Sequence, residues 1–223
     1  RVYWSYIHKT LGGHRLMNYF KPAEIVDNYA KGGTAKASMS ILRTAVLAIL
    51  AGMIIALGAA ASSTAAHTAA SVGSGRLISG LIFPFGLGIV VLLGFELFTG
   101  NCLLALSVQR REITLMSMVR NLALVYAGNF VGGLLVAAIC TYGGQLSYSA
   151  DGLAVYTIQI AAGKCALSPG SSFIVAILCN VLVCAGVLVA QASKDSTGRI
   201  LGAFTPVALF VICGFEHCVA NMY

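Results

Sequence analysis

Gly94-Phe95-Glu96-Leu97-Phe98-Thr99-Gly100-Asn101 and Gly214-Phe215-Glu216-His217-Cys218-Val219-Ala220-Asn221 share the pattern GFExxxxN, at an offset of 120 positions (94 to 214). Each copy ends an apolar run and sets a glutamate, a glycine and polar side chains among residues that read as membrane-embedded. A carboxylate at the centre of a bilayer costs at least about 2.5 kcal/mol on insertion scales, so two in equivalent places need a reason. Repeated, interrupted helices are the sequence signature of inverted-repeat transporters and channels. At such a break, helix termini and freed backbone groups face an ion path rather than lipid.

The rest of the chain agrees with membrane spans on either side of these motifs. Of its 223 residues, 58% are hydrophobic and 9% charged, against roughly 25% charge in an average soluble domain. That excludes a water-soluble enzyme, and a disordered chain is excluded by the same numbers. Long intervals between charges predict spans near Ser40–Ala61, Leu77–Phe98, Val119–Tyr142, Ser172–Ala192 and Ile200–Cys213, each long enough for, or close to, a helix of about 20 residues. The runs are continuous and lack the alternation of a porin strand. An all-α integral membrane protein follows.

The net charge of +7 is a topology signal. Basic residues crowd the segment before the first span and the turns carrying Arg110, Arg111, Lys194 and Arg199, whereas the two intervening connections hold only Arg76 and Lys164. By the positive-inside rule the N-terminus is cytoplasmic, and no nucleic-acid partner is expected. Seven cysteines form no CxxC pair, and no His, Cys or carboxylate set has metal-ligand spacing, so neither metal nor cofactor is expected. Pro22 to Lys31 reads as a short interfacial helix, opened by its proline and closed by Gly32-Gly33; it lies on the membrane or caps a pore.

Three ordered motifs, GFELFTGN at 94–101, GNFVGG at 128–133 and FVICGFEHCVANMY at 210–223, resemble the formate/nitrite transporter family over residues 17–223. The resemblance implies an aquaporin-like inverted repeat of three helices each, with the second and fifth helices broken, assembled as a homopentamer with one pore per protomer. The sixth helix of that plan does not follow Tyr223. Residues 1–16, before Met17, are read as a fusion scar or a rearranged remnant of that helix, with an ordinary N-terminal extension as the alternative; residues 17–223 form the channel domain. The implied activity is passage of small monovalent anions of weak acids (hydrosulfide, formate, nitrite), passive or proton-linked, in a bacterial-type inner (plasma) membrane. The reading leans to the hydrosulfide and formate branch. An aquaporin-type water or neutral-solute channel is the alternative, although paired NPA motifs are absent.

His217 follows an intramembrane glutamate inside the second break, and the resemblance makes it the central pore histidine. With an ordinary pKa of roughly 6.5 it is the side chain most easily switched near neutral pH. Thr99 stands opposite it if the repeats face one another, with a hydroxyl that donates to an anion or holds the imidazole. Glu96 and Glu216 are expected to accept hydrogen bonds from backbone groups at the broken ends, with Asn129, Asn180 and Asn221 supplying amides to the same networks. Lys164 reads by itself as a solvated loop lysine; the resemblance moves it to an outer vestibule, as an anion-attracting ammonium with no opposing charge close in sequence. Phe83, Leu87, Leu97, Phe98, Val183 and Phe210 are ordinary lipid-helix residues that the resemblance assigns to two apolar constrictions either side of His217.

Overall fold

The structure is a computed structural model, and it describes residues 18–223. The reading of residues 1–16 lies outside the described residues. Ten α-helices are described: α1 (Pro22–Ala37), α2 (Ile41–Ala66), α3 (Val72–Ile82), α4 (Phe85–Leu93), α5 (Phe98–Asn101), α6 (Leu104–Gln109), α7 (Leu115–Tyr142), α8 (Gly152–Cys165), α9 (Pro169–Ala192) and α10 (Ser196–Cys213). Five segments are long and apolar enough to cross a membrane: α2, α3 with α4, α7, α9 and α10. Four of them start three to five residues before their predicted first residue, because Ser71, Thr114, Ser168 and Asp195 cap them with a side-chain oxygen on a free N–H. The backbone amide of Gly198, which donates to Asp195, holds that carboxyl below its ordinary pKa, with Ser193 adding to the effect.

Both copies of the repeat are helix ends. α4 stops at Gly94 (φ 67°) and α10 at Gly214 (φ 72°), each left-handed. The next N–H reaches back five residues in both, Phe95 to the Val90 carbonyl and Phe215 to the Phe210 carbonyl, each at 3.0 Å. This is a Schellman-type end, and it needs glycine because a Cβ in that conformation is strained. No neighbour lies within 4 Å of the place a Gly94 Cβ would take, so Gly94→Ala tests conformation alone. Its expected cost is about 1–2 kcal/mol, read as a lower midpoint in a heat challenge of the detergent-solubilised protein; an unchanged midpoint refutes the strain.

The two long helices α2 and α7 pack through glycines. A Cβ on Gly52 would run into the Asn129 backbone, and one on Gly132 into the backbone of α2 around Ile49 and Met53. That close approach brings the Asn129 side chain to the first break. Pro84 separates α3 from α4, and Pro206 lies inside α10; a proline in a spanning helix removes one ladder bond and bends it.

Two predicted boundaries are corrected. α1 does not end at Gly32-Gly33 but runs on to Ala37. Gly33 is a packing residue: a side chain there would collide with Ser107 of α6. α1 caps the end of the bundle, with Tyr29 and Ala30 buried, the Tyr29 hydroxyl donating to the Gly100 carbonyl (3.0 Å) and Ser107 to the Ala30 carbonyl (2.9 Å). The second correction is α8, a helix of 14 residues in what the charge spacing treats as a connection.

Candidate functional site: an apolar neck between two lysine vestibules

Two cavities enter the bundle from opposite ends. The larger, about 750 Å³, is lined by Arg76, Phe83, Lys164, Phe210, Glu216 and His217 among others. The smaller, about 130 Å³, is lined by Tyr29, Lys36, Leu87, Leu97, Gly100 and Asn101 among others. Gly214 faces the larger cavity and Gly94 the smaller, so the two breaks point to opposite ends. The neck between them is apolar except at one point. Phe83, Leu87, Leu97, Val183 and Phe210 are all buried in one cluster. The Phe83 and Phe210 rings meet edge to face at 6.0 Å, and Phe210 stacks on His217 at 5.4 Å.

At that point the structure brings Thr99 and His217 together, Oγ1 to Nε2 at 3.2 Å, both buried. The tautomer follows from the backbone. The Ala220 N–H donates to His217 Nδ1 at 3.0 Å, so this nitrogen is an acceptor and the neutral ring carries its proton on Nε2. Nε2–H therefore donates to Thr99 Oγ1, and the threonine hydroxyl proton is left to donate elsewhere. The pair leaves one hydroxyl proton free to donate, among side chains that are otherwise hydrocarbon.

The glutamates do not hold the broken backbone, as expected from sequence; they hold lysines. Glu96 Oε1 accepts from Lys36 Nζ at 2.6 Å, and Glu96 Oε2 from the Asn101 amide at 2.6 Å. Glu216 accepts from Lys164 Nζ through both oxygens, at 2.6 and 2.7 Å, and from the Asn221 amide at 2.8 Å. Each half thus builds the same Lys–Glu–Asn triad beside its break. In the first half Asn101 also donates to Asn121 (2.9 Å) and accepts from Lys36 (3.1 Å). Carboxylates at this depth gain more from a full ammonium than from a backbone amide. The broken backbone of the first half is held by Asn129 instead. Its Oδ1 accepts from the Phe98 N–H (2.9 Å), and its amide donates to the carbonyls of Ala48 (2.7 Å) and Glu96 (3.0 Å).

Two further assignments change. Lys164 lies on the larger vestibule but is not an unopposed ammonium, because Glu216, 52 residues on (164 to 216), neutralises it. Asn180 joins neither network, and its Oδ1 is buried without a hydrogen-bond partner. Phe98 packs against the apolar cluster of the neck, and its ring also leans on Tyr126 of α7 at 5.0 Å. Lys36 and Tyr29 were missed by sequence reasoning. The signal for Lys36 was a glutamate that needed a cation in its own half. Among the described residues, no three His, Cys, Asp or Glu side chains gather as metal ligands, and the seven cysteines are free thiols.

Comparison with known proteins shows the family of the chain. A formate/nitrite transporter family model matches residues 23–223. The formate channel FocA of Haemophilus influenzae is 36% identical over 204 residues, covering 91% of this chain and 72% of that protein. The formate channel BtFdhC of Bacillus thuringiensis is 35% identical over 210 residues, covering 93% and 80%. Among solved structures, an FNT family ion channel superposes with a TM-score of 0.82 at 27% identity, covering 90% of this chain and 80% of its own. A pentameric formate channel with formate bound gives 0.74 at 30% identity, covering 82% and 72%. A multi-pass helical bundle with two broken helices, a buried Thr–His pair in its neck and a family match over nearly its whole described length belongs to the formate/nitrite transporter family, whose members are channels and transporters rather than enzymes.

Proposed function

We propose that the chain forms a pore for small monovalent anions of weak acids, with formate as its first substrate and nitrite and hydrosulfide as anions of the same charge class. The observation that carries this is the Thr99–His217 pair set in a hydrocarbon neck between two cavities that each hold a lysine. Apolar narrowing penalises hydrated ions and admits small, protonatable ones. A passing anion takes the Thr99 hydroxyl proton as a hydrogen bond, while His217 Nε2–H fixes the hydroxyl oxygen. His217 supplies the proton link, since its imidazole can take up and release a proton where the other neck side chains are hydrocarbon or a hydroxyl.

The pore lies within one protomer, and five protomers assemble, as in the pentameric neighbour. The bundle surface offers large apolar side chains for lipid and for such contacts, among them Phe173, Ile174 and Val181 of α9. The plasma membrane of a bacterial-type cell is the assigned site. Lys31, Arg110, Arg111 and Lys194 gather at the Lys36 end of the bundle, and by the positive-inside rule this supports a cytoplasmic placement of that end. The test is flux. Liposomes containing the purified protein are expected to take up formate, and nitrite and hydrosulfide more or less well, while glycerol and water pass at the protein-free rate. Glycerol flux without formate flux would replace this reading with the neutral-solute channel.

A further inference from the structure

With Lys164 neutralised by Glu216, the larger vestibule still carries one cation with no carboxylate partner among the described residues, Arg76 of α3. Its position is fixed at the second break. Nη1 donates to the Ile212 carbonyl at 3.3 Å, in the last turn of α10, and the guanidinium occupies the space a Cβ on Gly214 would take. Glu216 and His217 follow two and three residues on. A guanidinium has five N–H donors, and only this one finds a partner among the described residues. The helix end offers about half a negative charge, which leaves the site net positive. The first break has no equivalent, since no atom lies within 4 Å of the corresponding position on Gly94. The two Lys–Glu–Asn triads are alike, and Arg76 is a cation with no counterpart at the first break among the described residues.

We propose that Arg76 is the anion-collecting residue of the larger vestibule. Its free N–H groups hold an incoming carboxylate or similar oxyanion at the end of α10, one step before the neck, and set the affinity of that mouth. Lys164 holds the loop instead. A planar fork that pairs two oxygens at once suits a formate-like anion better than a point charge does. This inference rests on the channel reading above.

The experiment is the concentration dependence of formate uptake by liposomes, with wild type, Arg76→Gln and Arg76→Lys at matched oligomer content. At about 10 mM ionic strength, Arg76→Gln is expected to raise the half-saturating formate concentration roughly three- to ten-fold, with the maximal rate little changed. At about 1 M salt, where charges are screened beyond roughly 3 Å, the difference should fall below about two-fold. Arg76→Lys should restore part of the low-salt affinity, because it keeps the charge and loses the fork. An unchanged half-saturation in Arg76→Gln overturns the proposal. So does a drop in maximal rate that is indifferent to salt and not restored by lysine, because that is the signature of a purely structural bond to Ile212. A wild type that passes no formate sinks the channel reading itself, which is a different outcome from a conducting wild type with an indifferent Arg76.

Discussion

Replacing His217 by phenylalanine is expected to bring anion flux down to the level of protein-free liposomes while the protein still assembles. The ring would join Phe83 and Phe210, which already flank the position at 6.5 and 5.4 Å between ring centres. The neck would then be hydrocarbon at every point but Thr99, and the threonine would lose the Nε2–H that orients it. An anion entering such a passage leaves its water with little in return. His217→Asn is the companion variant. It keeps a donor near Thr99 and removes the titratable proton, so flux should persist while its dependence on pH flattens. Flux against external pH in one set of liposomes reads both. A Phe variant that conducts, or an Asn variant with the wild-type pH profile, would leave His217 with a packing role only.

The second large effect is expected at Lys36. Glu96 is buried, its side chain 2% exposed, and among the described residues the Lys36 ammonium is the one cation paired with it. Lys36→Met leaves that carboxylate uncompensated, at a cost of roughly 3–5 kcal/mol, the range found when one partner of a buried pair is removed. The protein should lose most of its oligomer on gel filtration after mild heating. Lys36→Met combined with Glu96→Gln removes both charges and keeps an acceptor for the Asn101 amide, so it should recover most of the loss. If the double variant is as unstable as the single one, Lys36 contributes through packing of α1 and not through charge.

Much of this was legible in the chain because the membrane simplifies the problem. Lipid forces each backbone into a helix and makes every buried charge expensive, so charge spacing locates the five spans and the GFExxxxN repeat locates both breaks. The facing of Thr99 and His217 follows from the same repeat. What the chain did not disclose are contacts between residues far apart in sequence. Lys36 and Lys164 reach their glutamates across 60 (36 to 96) and 52 (164 to 216) positions, and no local rule connects them. Gly32-Gly33 was misread because glycine serves equally as a helix stop and as a surface for close packing, and only the presence of Ser107 opposite decides between the two. α8 was hidden because a helix of 14 residues beside two spans has neither their length nor a charge pattern of its own. Asn180 shows the limit from the other side: an amide in an apolar run suggests a network, yet its oxygen meets none.

The order of the two triads along the chain bears on how the protein is made. In both halves the lysine precedes the glutamate it neutralises. A chain emerging from the ribosome therefore delivers each cation, on α1 or on α8, before the span that ends in the matching carboxylate. Folding during synthesis proceeds from the N-terminus, so each glutamate reaches the bilayer when its counter-charge is already waiting at the surface. Neither half has to hold a naked anion in lipid while the other is being translated, because each carries the counter-charge of its own glutamate.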